Sequence, residues 1–291
     1  MANIRDIRKR IKAVGNIQRI TRTMQMIATA KFQASVRRAQ ATQPFSDKLA
    51  EIVAELAEAA GDVDHPLLGA PPRPTGRKML LVLSSNRGLC GAYNAGVLRE
   101  AHRFIRNSTD QILLDVAGKK GIAYFRFAEI PIEDRHTEFD DKTTYEQVEQ
   151  LGDTYIQRYL KGEFDELSVA YTRFISNARQ TPEVVKILPM EKPQADEAAA
   201  EKPGANAVFE FSPSPVQLLD DLLPLAVKTR LFQFFNDANV SEQIARMGAM
   251  KSATDNAGKM RNNLKRQFNR ARQSQITTEL SEIIGGAAAL E

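Results

Sequence analysis

The chain has 291 residues, 43% hydrophobic and 26% charged, with a formal net charge of +4. These are globular values, enough for one large or two modest domains, and they exclude a chain too polar to build a core. The lone Cys90 excludes an intrachain disulfide and fits a reducing compartment, and no run of about eighteen apolar residues offers a membrane span.

The small net charge hides an uneven distribution. The first forty residues carry Arg5, Arg8, Lys9, Arg10, Lys12, Arg19, Arg22, Lys31, Arg37 and Arg38 against Asp6 alone. Near the other end Lys251, Lys259, Arg261, Lys265, Arg266, Arg270 and Arg272 meet little acid before Glu279. Basic ends around an acidic middle point to an anionic or acidic partner for the ends. The start is Arg-rich and amphipathic, loosely like a mitochondrial transit peptide, but the pattern runs on past the usual length of one. It has no apolar signal core or small-residue cleavage site.

In chain order, residues 3 to about 60 are predicted as one long helix. Ile4, Ile7, Ile11, Val14, Ile17, Ile20, Met24 and Ile27 recur three or four apart, and Phe45, Leu49, Ile52, Leu56 and Ala60 resume the pattern. Gly15 and Pro44 are its weak points, and Pro44 is expected to kink or loosen it. Residues 61–76, rich in Pro and Gly, form a linker.

Residues 77–212 are expected to be a separate α/β domain. Met79–Leu83 is a continuous apolar run, as a buried parallel strand requires. Further strands are expected at 111–116, 167–175 and 184–188, and helices at 95–106, 119–125 and 144–160. This alternation favours a small sheet with helices on its faces, Rossmann-like in kind. Residues 191–207, rich in Ala, Glu, Lys and Pro, are expected to be a solvated, mobile loop.

Residues 213–291 form the second long helix. Ser214 is a good N-cap and Pro215 suits the first helical position. Met247, Met250, Ala253, Ala257, Met260, Leu264, Phe268, Ala271, Ile276, Leu280, Ile283 and Ile284 make one stripe. At ~1.5 Å per residue, about 75 residues give a rod on the order of 110 Å, which one compact domain cannot bury. Pro224 leaves open a kink or a later start. Two helices with one apolar seam each most simply form an antiparallel coiled coil, so the fold class is a long coiled coil flanking a central α/β domain.

Candidate chemistry is sparse. Ser84–Gly91 follows a strand and could cradle phosphate, yet it matches neither glycine fingerprint of nucleotide binding and lacks the phosphate-reaching lysine. It fits a tight turn, with Asn86 and Arg87 left for surface contacts. Cys90 has no histidine in a recognisable signature and fits a small buried side chain. Scattered His65, His102 and His136 argue against zinc. Glu133-Asp134 and Asp140-Asp141 fit a solvated loop, and Met24, Met26, Met247, Met250 and Met260 an adaptable helical seam. The basic rods leave two occupants open: nucleic-acid phosphates, or an acidic or polar protein cavity around a shaft. The small, apolar end, Ile283 to Leu290, would be an aggregation hazard in isolation and implies a collar from other chains.

Three stretches resemble a known family. They are Ile4–Ile11 continuing through Ile20–Ala28, then Ser84–Gly91, and finally Ala245–Ala257 continuing through Arg272–Leu280. In this order, flanking an α/β domain, they resemble the gamma subunit of the rotary F-type ATP synthase over essentially the whole chain. The resemblance implies a coiled coil standing inside a hexamer of alternating alpha and beta subunits. It places the α/β domain and foot on the membrane c-subunit ring beside the epsilon subunit. It implies no catalytic residue and no cofactor in this chain, since ATP, ADP and magnesium bind the alpha and beta partners. Nucleic acid is not a partner on this reading. Family contacts carry over to Met24, near the beta-subunit loops, and to Arg272, Gln273, Thr277 and Glu279. Ile283, Ile284, Ala287, Ala288 and Leu290 carry over to the apolar bearing tip. With only Cys90, the regulatory dithiol of the plant plastid form is ruled out. A start at Met1 without a transit peptide gives the expectation of a bacterial complex, peripheral on the cytoplasmic face of the inner membrane.

Overall fold

A computed structural model describes residues 4–60, 65–69, 74–190 and 214–288, the side chains of 58–60 and 287–288 excepted. The expected loop 191–207 lies outside them. In chain order the elements are α1 (Ile4–Ala60), β1 (Arg77–Leu83), α2 (Tyr93–Asn107), β2 (Gln111–Ala117), α3 (Lys119–Phe127) and β3 (Arg135–His136). Then come α4 (Tyr145–Leu160), β4 (Glu166–Ser176), β5 (Arg179–Leu188) and α5 (Pro215–Ala288). The described residues group into two compact units: one drawn from Met1–Ala30 and Arg246–Glu291, the other from Lys31–Ala245.

The larger unit is built on a five-stranded sheet in the order β3-β2-β1-β4-β5. β1 pairs in parallel with β2 and β4, β2 with β3 likewise, and β5 returns antiparallel along β4. β1 is central, which is why its apolar run is unbroken: Met79 to Leu83 are all buried. Its side chains alternate. Leu80 and Val82 join Val97, Leu98 and Ala101 of α2 and Ile122 and Phe125 of α3 in one core. Met79, Leu81 and Leu83 face the other way, into a core with α4, with Leu49, Val53 and Leu56 of α1, and with Leu219 to Ala238 of α5.

Local chemistry fixes the ends of these elements. The Asp165 carboxylate accepts the N–H groups of Thr75 and Gly76 at 2.7–2.8 Å, tying the entry to β1 beside the entry to β4. Gln147 accepts the N–H of Thr144 at 3.0 Å and closes the start of α4. The described part of the connector is anchored: Leu67 and Leu68 are buried, and Leu67 C=O accepts the N–H of Met190 at 2.9 Å. Pro182 sits in β5, the edge strand, where a missing N–H costs no ladder bond on the free side. β3 and the polar first half of β5 are absent from the sequence reading, and the hairpin between β4 and β5 is correspondingly longer than expected.

Both long helices run as single elements. α5 starts at Pro215, with Ser214 Oγ accepting Gln217 N–H at a long 3.5 Å, and continues through Pro224, so the later start does not occur. α1 likewise continues through Pro44.

Candidate functional site

In the smaller unit the start of α1 and the end of α5 lie antiparallel. The guanidinium of Arg8 sits over the ring of Phe268, 5.7 Å from its centroid. Ten residues further along α1, Gln18 stands against Gly258, where an added Cβ would lie 3.0 Å from its Nε2. Three residues on, the hydroxyls of Thr21 and Thr254 meet at 2.8 Å. Each step forward on α1 is matched by a step back on α5.

The seam is narrower than the sequence stripe. On α1 it buries Ile7, Val14 and Ala28, seven residues or a multiple apart, with Ile4, Ile11, Gln18, Thr21 and Met24 half-buried between them. On α5 Met250 and Ala257 are buried, and Thr254, Arg261, Leu264, Phe268 and Ala271 half-buried. This is a heptad pattern of alternating three- and four-residue steps. Ile17, Ile20 and Ile27 are therefore not seam residues, contrary to expectation, and each is about half exposed. They are three, four and three residues from one another through Met24, and so form a second, solvent-exposed apolar stripe that flanks the seam and meets it at Met24. Met260, Ile276 and Leu280 also leave the seam and are exposed. A plain three-or-four spacing could not separate two stripes on one helix. The strict heptad of small and branched residues could have.

Beyond Ala271 every described side chain of α5 is exposed. Arg272, Gln273, Thr277 and Glu279 all lie on this stretch. Thr277 Oγ1 donates to Gln273 C=O at 3.0 Å, and Gln275 Nε2 donates to Glu279 Oε1 at 2.7 Å. These local bonds hold the polar groups along the helix surface. Ile283 and Ile284 are 70% and 62% exposed, an apolar tip on a single helix. Ala287 and Ala288 belong to α5 but their side chains lie outside the described set, as does Leu290 altogether. Met24 is not grouped with the others. By the pairing of Thr21 with Thr254 it lies some twenty residues of helix from Arg272, roughly 30 Å.

The turn after β1 is a structural joint. Asn86 Nδ2 donates to Phe139 C=O at 2.8 Å, and its Oδ1 accepts Lys119 N–H at 3.1 Å, so Asn86 is not left for surface contacts. Ser84 Oγ accepts Gly121 N–H at 2.9 Å and donates to Ala117 C=O at 2.8 Å. Asn94 Nδ2 donates to Ser85 Oγ at 2.7 Å and to the buried Cys90 Sγ at 3.1 Å. The polar side chains of Ser84, Asn86 and Asn94 are thus committed to holding the turn against its neighbours.

The acidic pairs are likewise engaged. Arg158 binds Glu133 and, at 2.7 Å, Glu163. Lys31 reaches Asp141 at 2.8 Å; burial works to raise that carboxyl, and the Lys31 bond and charge bring it below its ordinary value. Asp115, buried, accepts Tyr155 O–H at 2.9 Å. His136 is pulled toward neutrality by burial, yet Asp115 and Glu138 hold it above its ordinary value. Among the described residues no group of three acidic, histidine or cysteine side chains is placed to hold a metal ion. No described helix is long and apolar enough to cross a membrane.

Comparison with known proteins bears on these two units together. The family model described as ATP synthase matches residues 3–290. The "ATP synthase gamma chain" of Rhodopirellula baltica is 43% identical over 296 residues, covering the whole of both chains. Among solved structures, a chain of the Euglena gracilis mitochondrial ATP synthase OSCP/F1/c-ring assembly aligns with a TM-score of 0.67 at 18% identity, covering 99% of this chain and 94% of that one. A chain of the Euglena rotor aligns at 0.63 and 16% identity, covering 94% and 98%.

Proposed function

The chain belongs to the ATP synthase gamma-chain family, and on that premise we propose that it works as the non-catalytic shaft of a proton-translocating enzyme. As a gamma chain it is the central stalk of a rotary ATP synthase. Its task is to couple rotation of the membrane ring to ATP synthesis or hydrolysis at catalytic beta subunits. The observation that carries this reading is the end of α5, where a paired helix becomes a single exposed one and finishes in exposed Ile283 and Ile284. Exposed apolar ends of this kind require a partner surface. A collar made by alternating alpha and beta subunits supplies one, and the polar groups from Arg272 to Glu279 then face the loops just below it.

The mechanism follows from the shape of such a shaft. A partner shifts an equilibrium only by contacting its states differently. The outward stripe of Ile17, Ile20 and Ile27 lies on one side of α1 only, so the paired helices present different chemistry in different directions. As the shaft turns, each surrounding catalytic site meets the apolar and the basic side in sequence, and its affinity for nucleotide changes accordingly. On this reading the chain holds no cofactor; ATP, ADP and magnesium belong to the alpha and beta partners. The α/β unit contacts the epsilon subunit and the c-subunit ring, and the complex lies peripherally on the cytoplasmic face of a bacterial inner membrane.

The test is a pull-down of the tagged chain from native membranes, assayed for ATPase activity and partner masses. Two large subunits, each about threefold over the chain, with ATPase activity, are expected. Salt-sensitive recovery of nucleic acid without ATPase activity would overturn the reading, and would make the basic rods a phosphate-binding arm.

A further inference from the structure

In the larger unit the short strand β3 and the segment after it, residues 137–143, form a strap that runs from the edge of the sheet to α1. Little backbone holds β3 to β2: Asp134 C=O accepts Val116 N–H at 3.0 Å, and His136 C=O accepts Gly118 N–H at 2.8 Å. Further along, Asn86 Nδ2 donates to Phe139 C=O at 2.8 Å, and the buried Phe139 ring lies 4.8 Å from that of Phe235 on α5. The far end grips α1. Lys31 Nζ reaches the Asp141 carboxylate at 2.8 Å, and Arg38 donates to the carbonyls of Asp141 at 2.9 Å and Thr143 at 3.4 Å.

At the sheet end of the strap His136 stands between two carboxylates. Its Nδ1 lies 3.1 Å from Glu138 Oε1, and its Nε2, buried and without a hydrogen-bond partner, faces Asp115 Oδ2 at 4.0 Å. A neutral imidazole has one N–H and one lone pair. The tautomer that donates to Glu138 turns the Nε2 lone pair on Asp115, and the other tautomer turns the Nδ1 lone pair on Glu138. Only the imidazolium offers each carboxylate an N–H. Asp115 is fixed: it is 1% exposed and accepts Tyr155 O–H at 2.9 Å and Asp134 N–H at 3.0 Å. Glu138 belongs to the strap, is about half exposed, and is free to turn into solvent.

We propose that His136 is a proton-operated latch: as an imidazolium it ties Glu138 and the strap to Asp115 of the sheet, and on losing its proton it loosens the hold of residues 137–143 on Lys31 and Arg38 of α1. The groups facing it are Asp115 from β2, Glu138 on its own segment, Tyr155 and Arg158 from α4, both acting on Asp115, and Asp134 just before β3. From α5 the uncharged Phe235 ring reaches it through Phe139. Burial and Asp115 hold the Tyr155 hydroxyl well above its ordinary value, so it stays a donor across the range in which the latch works. Burial opposes a charged His136, and the pull of Asp115 and Glu138 outweighs it, leaving the ring above its ordinary 6.5. The hold is therefore complete below 6.5 and is lost as pH rises through the folded value. The latch lies wholly within the larger unit and stands whether or not the shaft reading does.

The experiment uses the full chain. Imidazole NMR from pH 5.5 to 9, with His136→Gln to assign its signal among the three histidines, should place the His136 midpoint above 6.5. Glu138→Gln, a change at an exposed side chain, should lower that midpoint. Hydrogen exchange, with intrinsic rates divided out, then reads the strap. Between pH 6 and 8.5 protection should fall in residues 137–143 and, across the clasp, in 31–42 of α1. The fall should be at least threefold greater in the parent than in His136→Gln, which carries the same contribution from Asp237, titrating at about 6. A midpoint at or below 6.5, a midpoint unmoved by Glu138→Gln, or equal falls in the two chains would each overturn the latch. None of these results touches the shaft reading, which the membrane pull-down tests alone.

Discussion

The hydroxyls of Thr21 and Thr254 meet at 2.8 Å across the seam between α1 and α5. Each is also within reach of a carbonyl of its own helix, Ile17 at 3.0 Å and Met250 at 2.8 Å. The pair therefore spans two helices while its hydrogens can still end on backbone acceptors. A polar pair in a largely apolar seam favours one register, because most slips of one helix past the other leave a hydroxyl facing a hydrocarbon.

Replacing Thr21 by Val keeps the shape and removes one hydroxyl. The expected cost is about 0.5–1.5 kcal/mol, the net worth of one intramolecular hydrogen bond. Thr254→Val in the same chain should add little, because no donor then faces the gap. Thermal melts followed by helical ellipticity, run on both singles and the double, measure the coupling. Fully additive losses would mean that the hydroxyls do not act as a pair.

Two glycines make opposite predictions. Gly118 has φ of 99° and an added Cβ would lie 2.1 Å from the carbonyl oxygen of Ser84, at the joint where Ser84 holds the start of α3. Gly118→Ala should destabilise by about 2–4 kcal/mol, from backbone strain and a collision with backbone rather than with a movable side chain. Gly15 is helical and nothing lies within 4 Å of its virtual Cβ. Gly15→Ala should stabilise by roughly 0.5–1 kcal/mol, since alanine loses less backbone freedom in a helix. The melting temperatures of the two variants should move in opposite directions.

These glycines also mark what the sequence could and could not disclose. The ends of both long helices were legible because Ser214-Pro215 is a chemical start signal and the apolar spacing is sustained over many turns. β1 was legible because a strand buried on both faces must be apolar throughout. β3 was not, since Arg135-His136 has neither alternation nor apolarity and is a strand only because β2 offers it an edge. The first half of β5 was hidden for a related reason: Arg179, Gln180 and Pro182 occupy an edge, where one side of the ladder is free. Ile17, Ile20 and Ile27 fall into the seam by spacing alone, because spacing counts apolar residues without saying which of two stripes they serve. The role of Asn86 is hidden in the sequence because its partners, Thr137, Phe139 and Lys119, are distant along the chain.

Asp237 makes the stability of the larger unit depend on pH. Burial, opposed by the Gln233 bond, lifts its carboxyl from an ordinary 3.8 to about 6. The folded chain therefore binds a proton more tightly than the unfolded one, and folding gains as pH falls from above 6 toward 4. Two pKa units correspond to about 3 kcal/mol at most. Asp237→Asn should raise the melting temperature at pH 7.5 and lose this part of the pH dependence, while the two proteins converge near pH 4. A variant less stable than the parent at pH 7.5 would show that the ionised carboxylate is stabilising after all.

Met24 offers the sharpest test of function against folding. It is half-buried at the edge of the seam, next in line to the exposed Ile20 and Ile27 on the outward stripe. Lysine can extend its apolar stem along the same path and raise its ammonium into solvent, so the helix pair should lose little stability. On the proposed function the added charge instead falls on a side of the shaft that faces partner loops, and alters how strongly each rotational position is held. Met24→Lys is expected to leave the complex assembled and hydrolysing ATP while lowering the protons pumped per ATP in inverted membrane vesicles. Unchanged pumping per ATP in a fully assembled complex would remove Met24 from the coupling surface, and a chain that no longer assembles would return it to the seam as a packing residue.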